Sequence, residues 1–132
     1  MESAKEISLK DTSVFDERGW VVNPLKASGL SKDKLCNLHI VSIEPDTVRG
    51  KHFHTKSNEW LLVFGGSALF VWQYHNNNKK NTINIDGKEP VLFYIPSNIE
   101  HAVINTSNNV IYLLAFRDFK DDETIRSESL LD

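Results

Sequence analysis

RGKHFHTKSNEWLLVFGG, residues Arg49–Gly66, is the stretch on which the fold turns. Val48–His54 reads as a β-strand, and in a strand positions i and i+2 share a face. His52 and His54 therefore aim at one point. Lys56-Ser57-Asn58 breaks the run, and Glu59–Phe64 follows as a strongly β-forming, largely apolar strand that Gly65-Gly66 ends. Glu59, at the head of that second strand, is within reach of the point the two histidines share. A lone histidine on a strand is most simply a satisfied core residue. Two on one face, followed by an acid, make a candidate site.

The same strand-and-turn rhythm runs outward in both directions. Upstream, short strands are expected around Ile7–Leu9, at Trp20–Val22 and over Leu35–Ile43, separated by Asp16-Glu17-Arg18-Gly19, Asn23-Pro24 and a loop over Ser28–Asp33. Downstream, Ser67–Gln73, Thr82–Ile85, Val91–Ile95, His101–Asn105 and Val110–Phe116 read as strands. They are divided by a polar tip at His75–Asn81, by Asp86-Gly87, by Pro96-Ser97-Asn98 and by Thr106–Asn109. About nine to eleven short strands with turn signals every 8–12 residues indicate an all-β sandwich or barrel. No amphipathic helix pattern is found before residue 118, and residues 118–132 read as a polar C-terminal tail or short helix.

The chain has 132 residues, the size of one domain, so 1–132 is taken as a single unit. A formal net charge of −3 gives no footprint for nucleic acid or an anionic membrane. The single cysteine, Cys36, excludes an internal disulfide framework and fits a reducing compartment. The charged N-terminus MESAKEISLKD lacks an apolar signal-peptide core, and the apolar runs are far too short to span a bilayer. A cytoplasmic location is expected.

The chemistry centres on His52, His54 and Glu59 together with His101. Three imidazoles and a carboxylate suit a divalent transition metal such as Fe, Mn, Ni or Zn. Their spacing resembles the two-part signature of the cupin superfamily, G-x5-H-x-H-x3,4-E-x6-G followed by G-x5-P-x-G-x2-H-x3-N. Here the first half reads His52-x-His54-x4-Glu59-x6-Gly66 and the second Pro96-x-Asn98-x2-His101-x3-Asn105. Gly50 lies only two residues before His52, Gly87 lies nine before Pro96, and Asn98 stands where the family has glycine, a substitution a left-handed backbone position tolerates. The resemblance implies a single cupin domain: an antiparallel, jelly-roll β-barrel with the site inside it.

A second set of residues narrows the resemblance. Asp16-Glu17-Arg18-Gly19, then Arg49-Gly50-Lys51-His52-Phe53-His54, then Leu92–Pro96, His101 and Tyr112 follow in an order similar to the sugar-nucleotide branch of the cupins. That branch holds the dTDP-4-dehydrorhamnose 3,5-epimerases and the dTDP-4-keto-6-deoxyglucose 3,4-ketoisomerases. The likeness implies His52 and His54 as catalytic proton carriers without a metal, Arg49 on the nucleotide phosphates, Arg18 and Trp20 among the substrate-binding residues, and Tyr112 near the place of a general-acid tyrosine. It also implies a homodimer, for which Trp20 is a candidate contact. Glu59 departs from the ketoisomerases, which have an uncharged residue such as glutamine there, and it restores the metal-binding signature.

Three functions follow as expectations. The leading one is isomerisation or epimerisation of a dTDP-4-keto-6-deoxy sugar in surface-polysaccharide biosynthesis, with His52 or His54 as base and no cofactor. The second is a metal-dependent cupin oxygenase or isomerase using His52, His54, Glu59 and His101. The third is a non-catalytic small-molecule binding barrel. A metal on all four residues would occupy the lone pairs that proton transfer needs, so the first two exclude each other at the histidines. His39 and His75 carry structural or solvated roles in this reading, and the Trp and Phe residues are mostly core.

Overall fold

The computed structural model describes residues 2–131. In chain order the strands are β1 (Lys5–Ile7), β2 (Val14–Asp16), β3 (Gly19–Val21), β4 (Cys36–Ile43), β5 (Val48–His54), β6 (Glu59–Phe64), β7 (Ala68–Tyr74), β8 (Asn81–Ile85), β9 (Val91–Ile95), β10 (Ile99–Asn105), β11 (Ile111–Arg117) and β12 (Thr124–Arg126). One five-stranded sheet runs β1-β9-β6-β11-β4 and a second runs β12-β5-β10-β7-β8, with β2 and β3 as a separate hairpin. The paired strands are antiparallel. The chain thus adopts the all-β jelly-roll architecture of the cupins.

Period-two alternation decides what each strand gives to the interior. Along β6, Leu61 and Val63 face the space between the sheets, where they join Phe70, Phe93, Val103 and Ile111 in the main core. The Phe70 and Phe93 rings stack 4.3 Å apart at 16°. Burying each such side chain contributes about 1.5–3 kcal/mol. Trp60 and Leu62 face outward and pack with Leu92 and Phe116 under a cover drawn from the N-terminal region, including Leu9, Leu25 and Leu30.

Two elements differ from the expectation. A five-residue helix, α1 (Pro24–Ser28), occupies ground read as turn and loop. It is too short to show a helical repeat, but its ends carry standard signals. The Asn23 side chain accepts from Lys26 N at 3.1 Å, Pro24 opens the helix, and Gly29 closes it at φ +74°. The second difference is the C-terminal segment, which is neither helix nor free tail through residue 131. Thr124–Arg126 pairs along His52–His54 as β12, and Leu130 is buried against Val71 and Ala102. Among the described residues no helix is long and apolar enough to cross a membrane.

Candidate active site

Strands from both sheets bring the four signature residues to one end of the barrel interior. β5 supplies His52 and His54, β6 supplies Glu59 and β10 supplies His101, with His52 and His101 directly across from one another. Each has one ligating atom within 4.8 Å of those of the other three. A bulge sets the aim of His52. Gly50 pairs with Ala102 and His52 with His101, so Lys51 is the extra residue on β5. Gly50 and Lys51 sit at φ +100° and +60°. A Cβ on Gly50 would come within 2.8 Å of the His101 carbonyl oxygen, so glycine is required there. At the start of β10, Asn98 takes the left-handed backbone expected of it, at φ +65°, and its N–H donates to His54 O at 2.8 Å. Asn105 holds the far end of β10, donating to Ile43 O and Asn109 O and accepting from Ser107 N.

The hydrogen bonds distinguish the histidines. His101 Nδ1 donates to Ile99 O at 3.0 Å, and its Nε2 lies 3.0 Å from Glu59 Oε1. His54 is buried behind the site, its Nδ1 2.8 Å from Arg117 Nη1 and 3.0 Å from Thr124 Oγ1. Its Nε2 is 3.5 Å from Glu59 Oε2, at the limit of a hydrogen bond and without a well-aligned acceptor. Burial by itself pushes the Glu59 carboxyl up, but the His101 and His54 rings beside it outweigh burial and hold the group well below the usual carboxylate range. His52 is half-buried at the floor of a cleft of about 490 Å³. Burial first, and the neighbouring His101 second, lower it to about 4, so it is a neutral imidazole at physiological pH. Arg49, Lys51, Arg126 and His39 line the same cleft and make its wall basic.

Other expected residues lie elsewhere. Tyr112 is on the outer face of β11, 40% exposed and stacked on Phe64 at 5.8 Å, because the neighbouring Leu113 takes the inward position. The expectation of a catalytic Tyr112 is corrected accordingly. Arg18 and Trp20 lie on the β2–β3 hairpin, away from this cleft. Arg18 pairs with Asp16 at 2.7 Å, and Trp20 meets Phe64 edge-on at 5.8 Å. His75 contacts Glu100 on the outside of the second sheet. His39 Nδ1 bonds Asn37 O at 2.7 Å.

Sequence reasoning missed the supports of the site, which come from the C-terminal segment. Asp122 accepts from Lys56 N at 2.8 Å, Thr55 Oγ1 at 3.2 Å and Ser57 N at 3.2 Å, and Asp118 accepts from Asn58 N at 2.8 Å. These two aspartates order the turn that separates His54 from Glu59. Burial raises the Asp122 carboxyl, yet its hydrogen bonds from Ser57, Lys56 and Glu123 bring it down to about 2. Arg117 could have been found from alternation, since Leu113 and Ala115 already point inward.

The profile of the polysaccharide biosynthesis C-terminal domain family matches residues 14–124. The chain belongs to that family. Comparison with curated protein sequences returns no match. Among solved structures, this member of the family is similar to a dTDP sugar isomerase from Desulfovibrio desulfuricans, with TM-score 0.76 and 15% identity over 97% of this chain and 85% of that one. It is also similar to the sugar 3,4-ketoisomerase QdtA from Thermoanaerobacterium thermosaccharolyticum, solved with TDP, with TM-score 0.73 and 15% identity over 96% of this chain and 89% of that one. The capsular polysaccharide assembling protein CapF from Staphylococcus aureus gives TM-score 0.63 and 18% identity over 69% of this chain. The match spans only 28% of CapF. At these identities the likeness establishes the fold.

The donor set of this family member can be tested against the metal its cupin resemblance implies. Donors around one metal at about 2.1 Å stand about 3–4 Å apart, so separations of up to 4.8 Å need a small inward adjustment. His101 has the arrangement of a metal ligand, with Nδ1 fixed by a carbonyl and Nε2 turned inward. Glu59 and His52 also fit. His54 does not fit in this arrangement, because an arginine N–H faces its Nδ1.

Proposed function

We propose that the chain is an isomerase or epimerase of a nucleotide-linked 4-keto-6-deoxy sugar, working in surface-polysaccharide biosynthesis, with His52 as the base. The observation that carries this reading is the neutral His52 ring on the floor of an open cleft with basic walls. A proton next to a ketone is removed by a base that is unprotonated at neutral pH. His52 takes that proton and the C–H electron pair moves to the carbonyl oxygen as an enolate. Return of a proton at the same carbon completes epimerisation, whereas keto transfer also needs the hydroxyl proton of that carbon to pass to the enolate oxygen as the carbon-bound proton is returned at the former carbonyl carbon. The enolate needs a donor. His101, with one proton shared between its Nε2 and Glu59, is the group beside His52 suited to that task, their ring centroids being 4.8 Å apart.

Arg49, Lys51 and Arg126 suit the diphosphate of a sugar nucleotide, dTDP-linked by resemblance. Of the two expected bases, His54 is the less suited, because it is buried and does not line the cleft. A homodimer is part of the proposal. It is supported by the apolar side chains left exposed on β4 and on the β2–β3 hairpin, Leu38, Ile40, Val14, Trp20 and Val21.

A metal-dependent reaction is the second reading, favoured by the inward Nε2 of His101 beside Glu59. His52, Glu59 and His101 would hold the ion, which would supply Lewis-acid stabilisation of the enolate oxygen. His52 could then not serve as the base. Solvent-deuterium exchange into dTDP-4-keto-6-deoxyglucose tests the leading reading. Incorporation next to the ketone, with dTDP binding, is the expected result; a purified protein that neither exchanges nor binds contradicts it. Stoichiometric metal in protein purified without chelator, lost in His101→Ala, would favour the second reading.

A further inference from the structure

Two imidazoles flank the Glu59 carboxylate, and their outer nitrogens meet opposite partners. His101 Nδ1 faces the Ile99 carbonyl, which only accepts, so that nitrogen donates. His54 Nδ1 faces Arg117 Nη1 at 2.8 Å. A guanidinium has N–H groups and no acceptor, so Arg117 donates and His54 Nδ1 accepts. A neutral ring that accepts at Nδ1 carries its proton on Nε2. We propose that Arg117 is a positioning residue that holds the His54 proton on Nε2, making His54 a donor toward Glu59 and withholding its lone pair from the centre of the site.

Arg117 comes to this position from the end of β11, where it stands across the sheet from Glu59. Competing acceptors for an Nδ1 proton are already beside the ring, Thr124 Oγ1 at 3.0 Å and Asp122 Oδ2 at 3.8 Å. Without the guanidinium they take that proton, and the Nε2 lone pair turns toward Glu59 and the other histidines. One side chain thereby decides whether His54 adds a nitrogen lone pair to the cluster or withholds it. That choice separates a four-residue metal centre from a proton-transfer site in which His54 orients the acid. The inference rests on the isomerase reading only for the use made of Glu59, and its test needs no substrate.

Heavy-nitrogen labelling of the histidines and long-range proton–nitrogen correlation spectra read the tautomer of each ring directly. His54 is expected as the Nε2–H form in the wild type and in Thr124→Val, which keeps the guanidinium. It is expected to switch to the Nδ1–H form in Arg117→Met. Arg117→Lys, which keeps a donor without an acceptor, is expected to restore Nε2–H. A wild-type His54 in the Nδ1–H form, an Arg117→Met variant that does not switch, or a Thr124→Val variant that does, would overturn the proposal. If Arg117→Met does not fold, the wild-type and Arg117→Lys spectra remain decisive, since Nδ1–H in either is contrary to it. Absence of isomerase activity alongside the expected tautomers would count against the functional reading alone.

Discussion

His52 and His54 stand two residues apart on one strand face, yet the fold gives them different chemistry. His54 is enclosed by Arg117, Thr124 and Glu59, whereas His52 opens onto the cleft. Burial and the facing His101 lower His52 from 6.5 to about 4. If His52 is the base, the acid limb of the kcat/KM profile should fall near pH 4 and not in the ordinary histidine range, as initial rates across that interval will measure. The same shift affects stability. Between pH 6.5 and 4 the unfolded chain binds this proton and the folded chain does not, so the contribution is present above 6.5 and is lost as the pH falls through 4. At this scale the sequence was partly legible. Two histidines at i and i+2 and an acid opening the next strand were enough to find the cluster. Tyr112 was misplaced because its role came from resemblance, while alternation beside the inward Leu113 turns it out. The same alternation, carried two residues past Ala115, points to Arg117.

At the scale of elements, the bulge in β5 is what directs His52 at His101. Gly50→Ala places a Cβ 2.8 Å from the His101 carbonyl oxygen at a φ of +100°. It is expected to cost about 1–3 kcal/mol in denaturant unfolding and to lower activity further, by separating β5 from β10. An unchanged midpoint and rate would mean the bulge does not set the site. The strands themselves were legible because β6, β9 and β10 are apolar, β-branched or aromatic between clear turn residues. The C-terminal support was not. Asp118 and Asp122 act through distant partners in the turn before Glu59, and nothing local in an acidic, polar segment marks those contacts. Helix α1 was not legible, because its cap residues Asn23, Pro24 and Gly29 also read as turn and loop and five residues are too few to show a period.

At the scale of the whole molecule, the barrel interior divides into an apolar end, around the stacked Phe70 and Phe93, and a polar end that carries the site. The last residues of the described chain belong to this architecture. Leu130 is 1% exposed beneath the second sheet, and Ser127 N donates to the Lys51 carbonyl within the bulge. Leu130→Ala is expected to destabilise the fold by about 2–5 kcal/mol in equilibrium unfolding, whereas a dispensable tail would leave it unchanged. Ile40, 68% exposed on the edge strand β4, belongs to the face proposed for the homodimer. Sedimentation velocity of Ile40→Asp should show a shift from dimer to monomer with the fold intact, and a dimer that persists would place the interface elsewhere. Fold class was readable across the whole chain because strand periodicity and turn spacing repeat throughout it. The reaction was not, because it depends on which nitrogen of each histidine holds a proton.

The central claim is that His52 moves the proton. Its most direct test is deuterium incorporation from solvent into dTDP-4-keto-6-deoxyglucose by His52→Asn beside the wild type and His54→Asn. Removing a general base of this kind costs about 100- to 10,000-fold. A loss of that size is expected for His52→Asn with nucleotide binding retained, and a smaller loss for His54→Asn. Exchange by His52→Asn at the wild-type rate would contradict the claim.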